Sequence, residues 1–177
     1  HPNAITALGG KYFFDDDQEF PDTQTVVFEY DTGGKRRQLI YEQRIWSPYV
    51  QEGHENGNAF YGTKGMMILG KQAGWQLFGP RNKLAEEMRG ALNLTPHHRN
   101  FIEAVRTGRG ANADAQTGHL SAALAHLANI ATRLDAKLKF DPVKEEFIGH
   151  DGANRLLGRA YREGHWAAPK RADPAGH

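Results

Sequence analysis

Two hydrophobic periods divide the chain. In the front half, short runs rich in Val, Ile, Thr, Phe, Tyr and Trp read as strands at residues 4–14, 23–30, 38–46, 59–63, 64–69 and 74–78. Turn chemistry separates them: Asp15-Asp16-Asp17, Pro21-Asp22, Asp31-Thr32-Gly33-Gly34, Ser47-Pro48 and Gly70. Parallel crossovers need a dozen or more residues, so connections this short predict hairpins and a mainly antiparallel meander of five to six strands. Along 23–30, Gln24, Val26, Phe28 and Tyr30 share one face, and Thr25, Val27 and Glu29 the other. Leu39, Tyr41, Gln43 and Ile45 stand back to back with Ile40, Glu42, Arg44 and Trp46, so both faces of that run mix aromatic and polar groups. Such a surface suits either an interface or a half-wet sheet.

The back half changes to steps of three and four. Thr95 reads as an N-cap with Pro96 in the first turn, Phe101, Ile102 and Val105 share a face, and Gly108 is the stop. A second helix is predicted over 114–134, with Leu120, Leu124, Leu127, Ile130, Ala131 and Leu134 in phase. Its small residues Ser121, Ala122, Ala123, Ala125 and Ala128 allow a close approach to a sheet. A short third helix is predicted over 153–161, capped by Asp151 and carrying Leu156 and Leu157; residues 167–177 read as a flexible tail. Strands first and helices afterwards define an α+β class, an open, mainly antiparallel sheet with helices on one face, in one domain over residues 1–166.

Length and charge add bounds. A chain of 177 residues buries roughly 70% of its unfolded surface, enough for a core without staples. The absence of Cys excludes disulfides, thiolate metal sites and a thiol nucleophile. Twenty-two Lys and Arg against 21 Asp and Glu, interspersed, give a net charge of +1 and no basic surface for nucleic acid. Apolar stretches such as Met66 to Leu69 are far too short to span a bilayer, so the expectation is a soluble chain with no membrane partner, cytoplasmic by default. The opening His1-Pro2-Asn3, with neither Met nor a leader, is expected to be an excised or processed start.

Candidate chemistry is sparse. Tyr61-Gly62-Thr63-Lys64-Gly65 has neither the spacing of a phosphate-binding loop nor the three glycines of a dinucleotide fingerprint, and reads as a tight turn. Nine histidines include adjacent His97 and His98, and His119 and His126 two turns apart on one helix. Two turns are about 10 Å of rise, too far for one ion, so no metal site is expected, although His97 and His119 are placed to face a cleft. Asp15, Asp16 and Asp17 read as solvated turn residues, and no nucleophile elbow is present. No self-contained catalytic site follows.

Several segments taken in order carry a resemblance. They are Gly9-Gly10-Lys11-Tyr12-Phe13-Phe14-Asp15-Asp16, Pro21-Asp22-Thr23, Phe60-Tyr61-Gly62-Thr63-Lys64-Gly65, His97-x-x-Asn100-Phe101 and Val105-Arg106. They continue with Gly118-His119-x-Ser121, Leu127-Ala128-Asn129-Ile130-Ala131, Phe140-Asp141-Pro142, Ala153-Asn154-Arg155-Leu156-Leu157 and Tyr161-Arg162. Over residues 1–166 this resembles the carboxy-terminal domain of the glucose-fructose oxidoreductase and inositol dehydrogenase family (Gfo/Idh/MocA). The resemblance implies a parent oxidoreductase whose separate amino-terminal Rossmann domain binds NAD or NADP, while this domain supplies part of a sugar or polyol cleft and a homo-oligomer surface. The family's Glu-Lys-Pro motif with its catalytic Lys is absent here, so this chain alone is expected to bind no cofactor and to be inactive. Hydroxyl-rich substrates are held by hydrogen bonds beside an aromatic face, which makes Arg44, Trp46, Tyr61, His97 and Arg162 the lining candidates. Two alternatives stand beside this reading: a non-catalytic binding or assembly module, and a metal-dependent hydrolase using the histidines.

Overall fold

The computed structural model describes residues 1–70, 74–159, 161–163 and 166. In chain order the elements are β1 (Ala4–Gly10), β2 (Thr23–Thr32), β3 (Lys35–Arg44), β4 (Gly57–Tyr61), β5 (Met66–Gly70), β6 (Gly74–Gly79), β7 (Lys83–Met88), α1 (Thr95–Thr107), α2 (Ala115–Leu134), β8 (Leu138–Asp141), β9 (Glu146–Phe147) and α3 (Asp151–Arg155). The class is α+β with antiparallel sheets, and the chain forms two compact units, His1–Ile45 with His119–His177, and Trp46–Gly118. The expected tail at 167–177 lies outside the described residues.

In the first unit a five-stranded sheet runs β3-β2-β1-β8-β9, every pair antiparallel. The register sets Phe28 opposite Ile5, and Ile5 opposite Leu138, so one inward row crosses three strands. Val26 and Ala7 form the next row. The alternation read in β2 holds: Gln24, Val26 and Phe28 are buried, and Thr25 is exposed. Over this face lies the C-terminal half of α2, whose Leu127, Ala128, Ile130 and Ala131 are buried with Phe140, Phe147 and Ala153 in one core. Ala128 and Ala131 are fully buried against this core, whereas Ser121, Ala122 and Ala125, earlier in α2, are exposed.

The C-terminal end of β1 has a local cause. Opposite Gly9, a Cβ would meet the Thr23 carbonyl oxygen at 2.4 Å, so only glycine allows β2 to approach there. Beyond Gly10 the chain leaves the sheet, and the strand expected to reach residue 14 stops four residues earlier.

The second unit carries the antiparallel sheet β4-β5-β6-β7 and helix α1. The Gly62 N–H donates to the Gly65 carbonyl at 2.9 Å, which makes Tyr61 to Gly65 the tight turn read from the sequence. α1 stops where expected: Gly108 takes φ 69° and its N–H donates to Ala104, a left-handed cap that suits glycine.

Four expectations need correction. The single meander is two sheets, because β1 completes its second edge with β8 from the far end of the chain instead of extending the front-half series. β7 was not anticipated: Lys83, Glu86 and Glu87 give it no apolar alternation, and it forms because the edge of β6 offers unpaired backbone groups. The cap of α1 falls on Leu94 rather than Thr95, with the Asn93 side chain accepting from the Thr95 N–H at 3.0 Å. The third helix is α3, capped by His150 and not Asp151; it ends in i to i−3 bonds at Leu156 and Leu157, well short of residue 161.

Leu127 is 2% exposed at the centre of the core. Leu127→Ala is expected to destabilise the chain by about 2–5 kcal/mol in urea unfolding. A loss below about 1 kcal/mol would show that α2 does not close this core.

Candidate functional site

A cavity of about 500 Å³ opens in the first unit, between α2, the start of the chain and the β8–β9 turn. Its polar wall consists of His1, His119, His126, Asn129, Arg133 and Glu145, and its apolar wall includes Phe20, Ile130 and Leu156. Glu145 is the hub. Its carboxylate lies 2.8 Å from His1 Nε2, and 2.9 and 3.0 Å from His119 Nε2.

Three local devices converge on it. Asp141 folds the turn by accepting from the N–H groups of Val143 and Lys144 at 2.9 and 3.0 Å, and these bonds hold its carboxyl below the usual range. The Glu145 N–H then donates to the Asp141 carbonyl, and Glu145 takes φ 56°, a left-handed conformation that costs a non-glycine residue about 1–2 kcal/mol. His119 is set by the start of α2, where Asp114 accepts from the Thr117 N–H at 2.6 Å; this bond, the largest influence, also lowers the Asp114 carboxyl. His1 is wedged edge-on against Phe140 and His119, with ring centroids 5.8 and 5.5 Å away. Its side chain is 5% exposed, and its Nδ1 is buried without a hydrogen-bond partner.

Phe20 reaches the cavity from a loop that Asp22 organises. The buried Asp22 carboxylate accepts from three consecutive backbone amides, Tyr12 at 3.1 Å and Phe13 and Phe14 at 2.9 Å, and from the Thr23 hydroxyl at 2.8 Å. Burial pushes this carboxyl up, but the Phe14 and Phe13 amides, the Thr23 hydroxyl and the Tyr12 amide outweigh it and hold it far below the ordinary carboxylate range. Asp15 and Asp17 are exposed, as expected of a solvated turn. Asp16 is lowered chiefly by its bond with the Lys11 ammonium.

The residues named from the sequence fall in both units. Arg44 ends β3, 3.8 Å from Glu42, and Arg162 is an exposed residue of the first unit. Trp46 opens the second unit, Tyr61 ends β4 and is 76% exposed, and His97 sits in the first turn of α1 beside His98. None of the five lines the cavity. His119 does, as its placement on α2 allowed. Sequence reasoning missed His1 and Glu145, which lie 144 residues apart and have no spacing signal. The faint signal available was the Phe140-Asp141-Pro142 turn with an acidic residue just beyond it.

The fold is an α+β domain, and the family match sets it among carboxy-terminal domains of oxidoreductases. Residues 11–168 match the Gfo/Idh/MocA family pattern described as the oxidoreductase family, C-terminal alpha/beta domain, and the chain belongs to that family. Three solved structures of proteins described as putative oxidoreductases share the fold at 14% identity. With yvaA of Bacillus subtilis the TM-score is 0.55 over 79% of this chain and 46% of that one. A Klebsiella pneumoniae protein gives 0.52 over 88% and 47%, and one from Bacteroides fragilis 0.50 over 78% and 45%. The chain thus spans less than half the length of each. No curated protein matches it.

The lowered Asp22 carboxyl sets a pH dependence. The unfolded chain takes up this proton in the ordinary carboxylate range and the folded chain only at lower pH, so the stabilisation is complete above that range and shrinks as pH falls. Asp22→Asn is expected to lower the melting temperature at pH 7 and to flatten the loss of stability between about pH 5 and pH 2. Parallel acid limbs for the two proteins, measured by thermal unfolding, would remove this role from Asp22.

Proposed function

We propose that this chain is the substrate-side domain of an NAD(P)-dependent sugar or polyol oxidoreductase, and that it does not transfer hydride by itself. The observation that carries the proposal is the family match over residues 11–168 in a chain without a dinucleotide fingerprint or a Glu-Lys-Pro motif. NAD or NADP belongs in this reading to a separate Rossmann domain. Arg44, Trp46, Tyr61, His97 and Arg162 are the proposed contacts to a hydroxyl-rich substrate, since they offer cationic and neutral hydrogen-bond donors beside aromatic faces. Calorimetric titration of the chain is expected to show no saturation by NAD or NADP and weak binding of a sugar or polyol that Arg44→Ala and His97→Ala diminish. Micromolar binding of either nucleotide, or no binding by any sugar or polyol of a broad panel, would count against the proposal.

A second reading, as an assembly module, draws on the sheet face turned away from α2. Thr6, Val27 and Ile40 are opposite one another across β1, β2 and β3, and Leu8 and Ile40 are 70% and 60% exposed. Burying that apolar area in a homodimer would be favourable at about 25 cal/mol per Å². Sedimentation of the wild-type chain is expected to show a dimer or larger species that Ile40→Lys returns to monomer. A wild-type monomer at high concentration would dismiss the interface.

A further inference from the structure

We propose that His1, His119 and Glu145 form a site for a divalent transition metal, with zinc the best fit. Their ligand atoms, the Nε2 of each ring and a carboxylate oxygen, all lie within 4.8 Å of one another. A tetrahedral ion with bonds of about 2.0–2.1 Å needs neighbouring ligand atoms about 3.4 Å apart. The observed separations of 2.8 and 2.9 Å reach that value by opening about half an ångström.

The donor set chooses the ion. Two imidazoles and one carboxylate suit zinc and its transition-metal neighbours, whereas calcium and magnesium require shells built from oxygen. In the metal-free arrangement protons do the joining, each ring meeting the carboxylate by a hydrogen bond, and the ion takes their place. The ligands are also held before any ion arrives. His1 is wedged between two rings, His119 stands on a helix, and Glu145 is held in a left-handed turn residue beside the core. Three protein ligands leave a fourth position, and all three line the 500 Å³ cavity, so an exchangeable water or a small oxygen ligand completes the shell from that side. This site stands independently of the dehydrogenase reading.

The test uses the whole chain, stripped with a chelator and titrated with zinc by calorimetry and with cobalt by visible absorption. One equivalent of each is expected to bind, cobalt developing the d–d bands of a low-coordinate N and O site. Glu145→Gln and His119→Ala should each weaken binding by more than about tenfold, while His98→Ala binds as wild type. The His119 side chain is half exposed, so its truncation should leave the fold intact. Zinc should raise the melting temperature of the wild type and of His98→Ala but not of the two ligand variants. Substoichiometric binding, or full binding by both Glu145→Gln and His119→Ala, would overturn the site and leave a hydrogen-bonded His-Glu-His cluster.

Discussion

A buried carboxylate cannot be left without donors, and the front of the first unit is arranged around that requirement at Asp22. Its two oxygens collect three successive amides from Tyr12, Phe13 and Phe14 together with the Thr23 hydroxyl, while its own carbonyl accepts from the Ile45 N–H at 3.0 Å. One residue therefore ends β1, starts β2 and holds the chain leaving β3. Next to it, Gln24 donates to Gln43 at 3.0 Å, Gln43 donates to the Pro21 carbonyl, and the Thr132 hydroxyl of α2 meets Gln24 at 3.0 Å. Helix and sheet are thus joined by a satisfied polar network at the margin of an apolar core, which fixes their register more narrowly than burial alone would.

The other organising pairing is non-local. β8 returns to the free edge of β1, setting Ala4 opposite Lys139 and Ile5 opposite Leu138, and the Phe140 N–H donates to the Asn3 carbonyl at 2.8 Å. That pairing carries the β8–β9 turn up to the start of the chain. Asn154 secures the far side: its side chain accepts from the Phe147 N–H at 2.7 Å and donates to the Phe147 carbonyl at 2.9 Å, imitating a strand neighbour. Glu145 meets His1 and His119 because sheet closure, turn and helix all end at the same wall of the cavity.

The family places the chain within oxidoreductases as a carboxy-terminal domain, and the fold agrees with solved structures of which it covers less than half. The two sets of polar residues on this domain differ in kind. Arg44, Trp46, Tyr61, His97 and Arg162 are exposed on strand ends, a helix start and connecting chain. Of His1, His119 and Glu145, His1 is almost fully covered against the core, while the side chains of the other two are about half exposed. A domain can carry both, since binding sites are grafted onto a fold and not dictated by it.

Much was legible from local order. Period-two alternation placed β2 and its buried face, the spacing of leucines placed α2, Gly108 marked the end of α1, and the ordered short segments pointed to the family. These features are set by interactions within a few residues, where backbone preference and side-chain period act directly. Whatever depended on partners distant in the chain was not legible. The polar β7 becomes a strand only because β6 offers it an edge, β8 joins the front sheet across more than a hundred residues, and a histidine at position 1 meets a glutamate at 145. Helical spacing judged His119 against His126 on one helix and excluded a shared ion; tertiary structure supplied other partners, because packing of sheet on helix decides which distant side chains become neighbours.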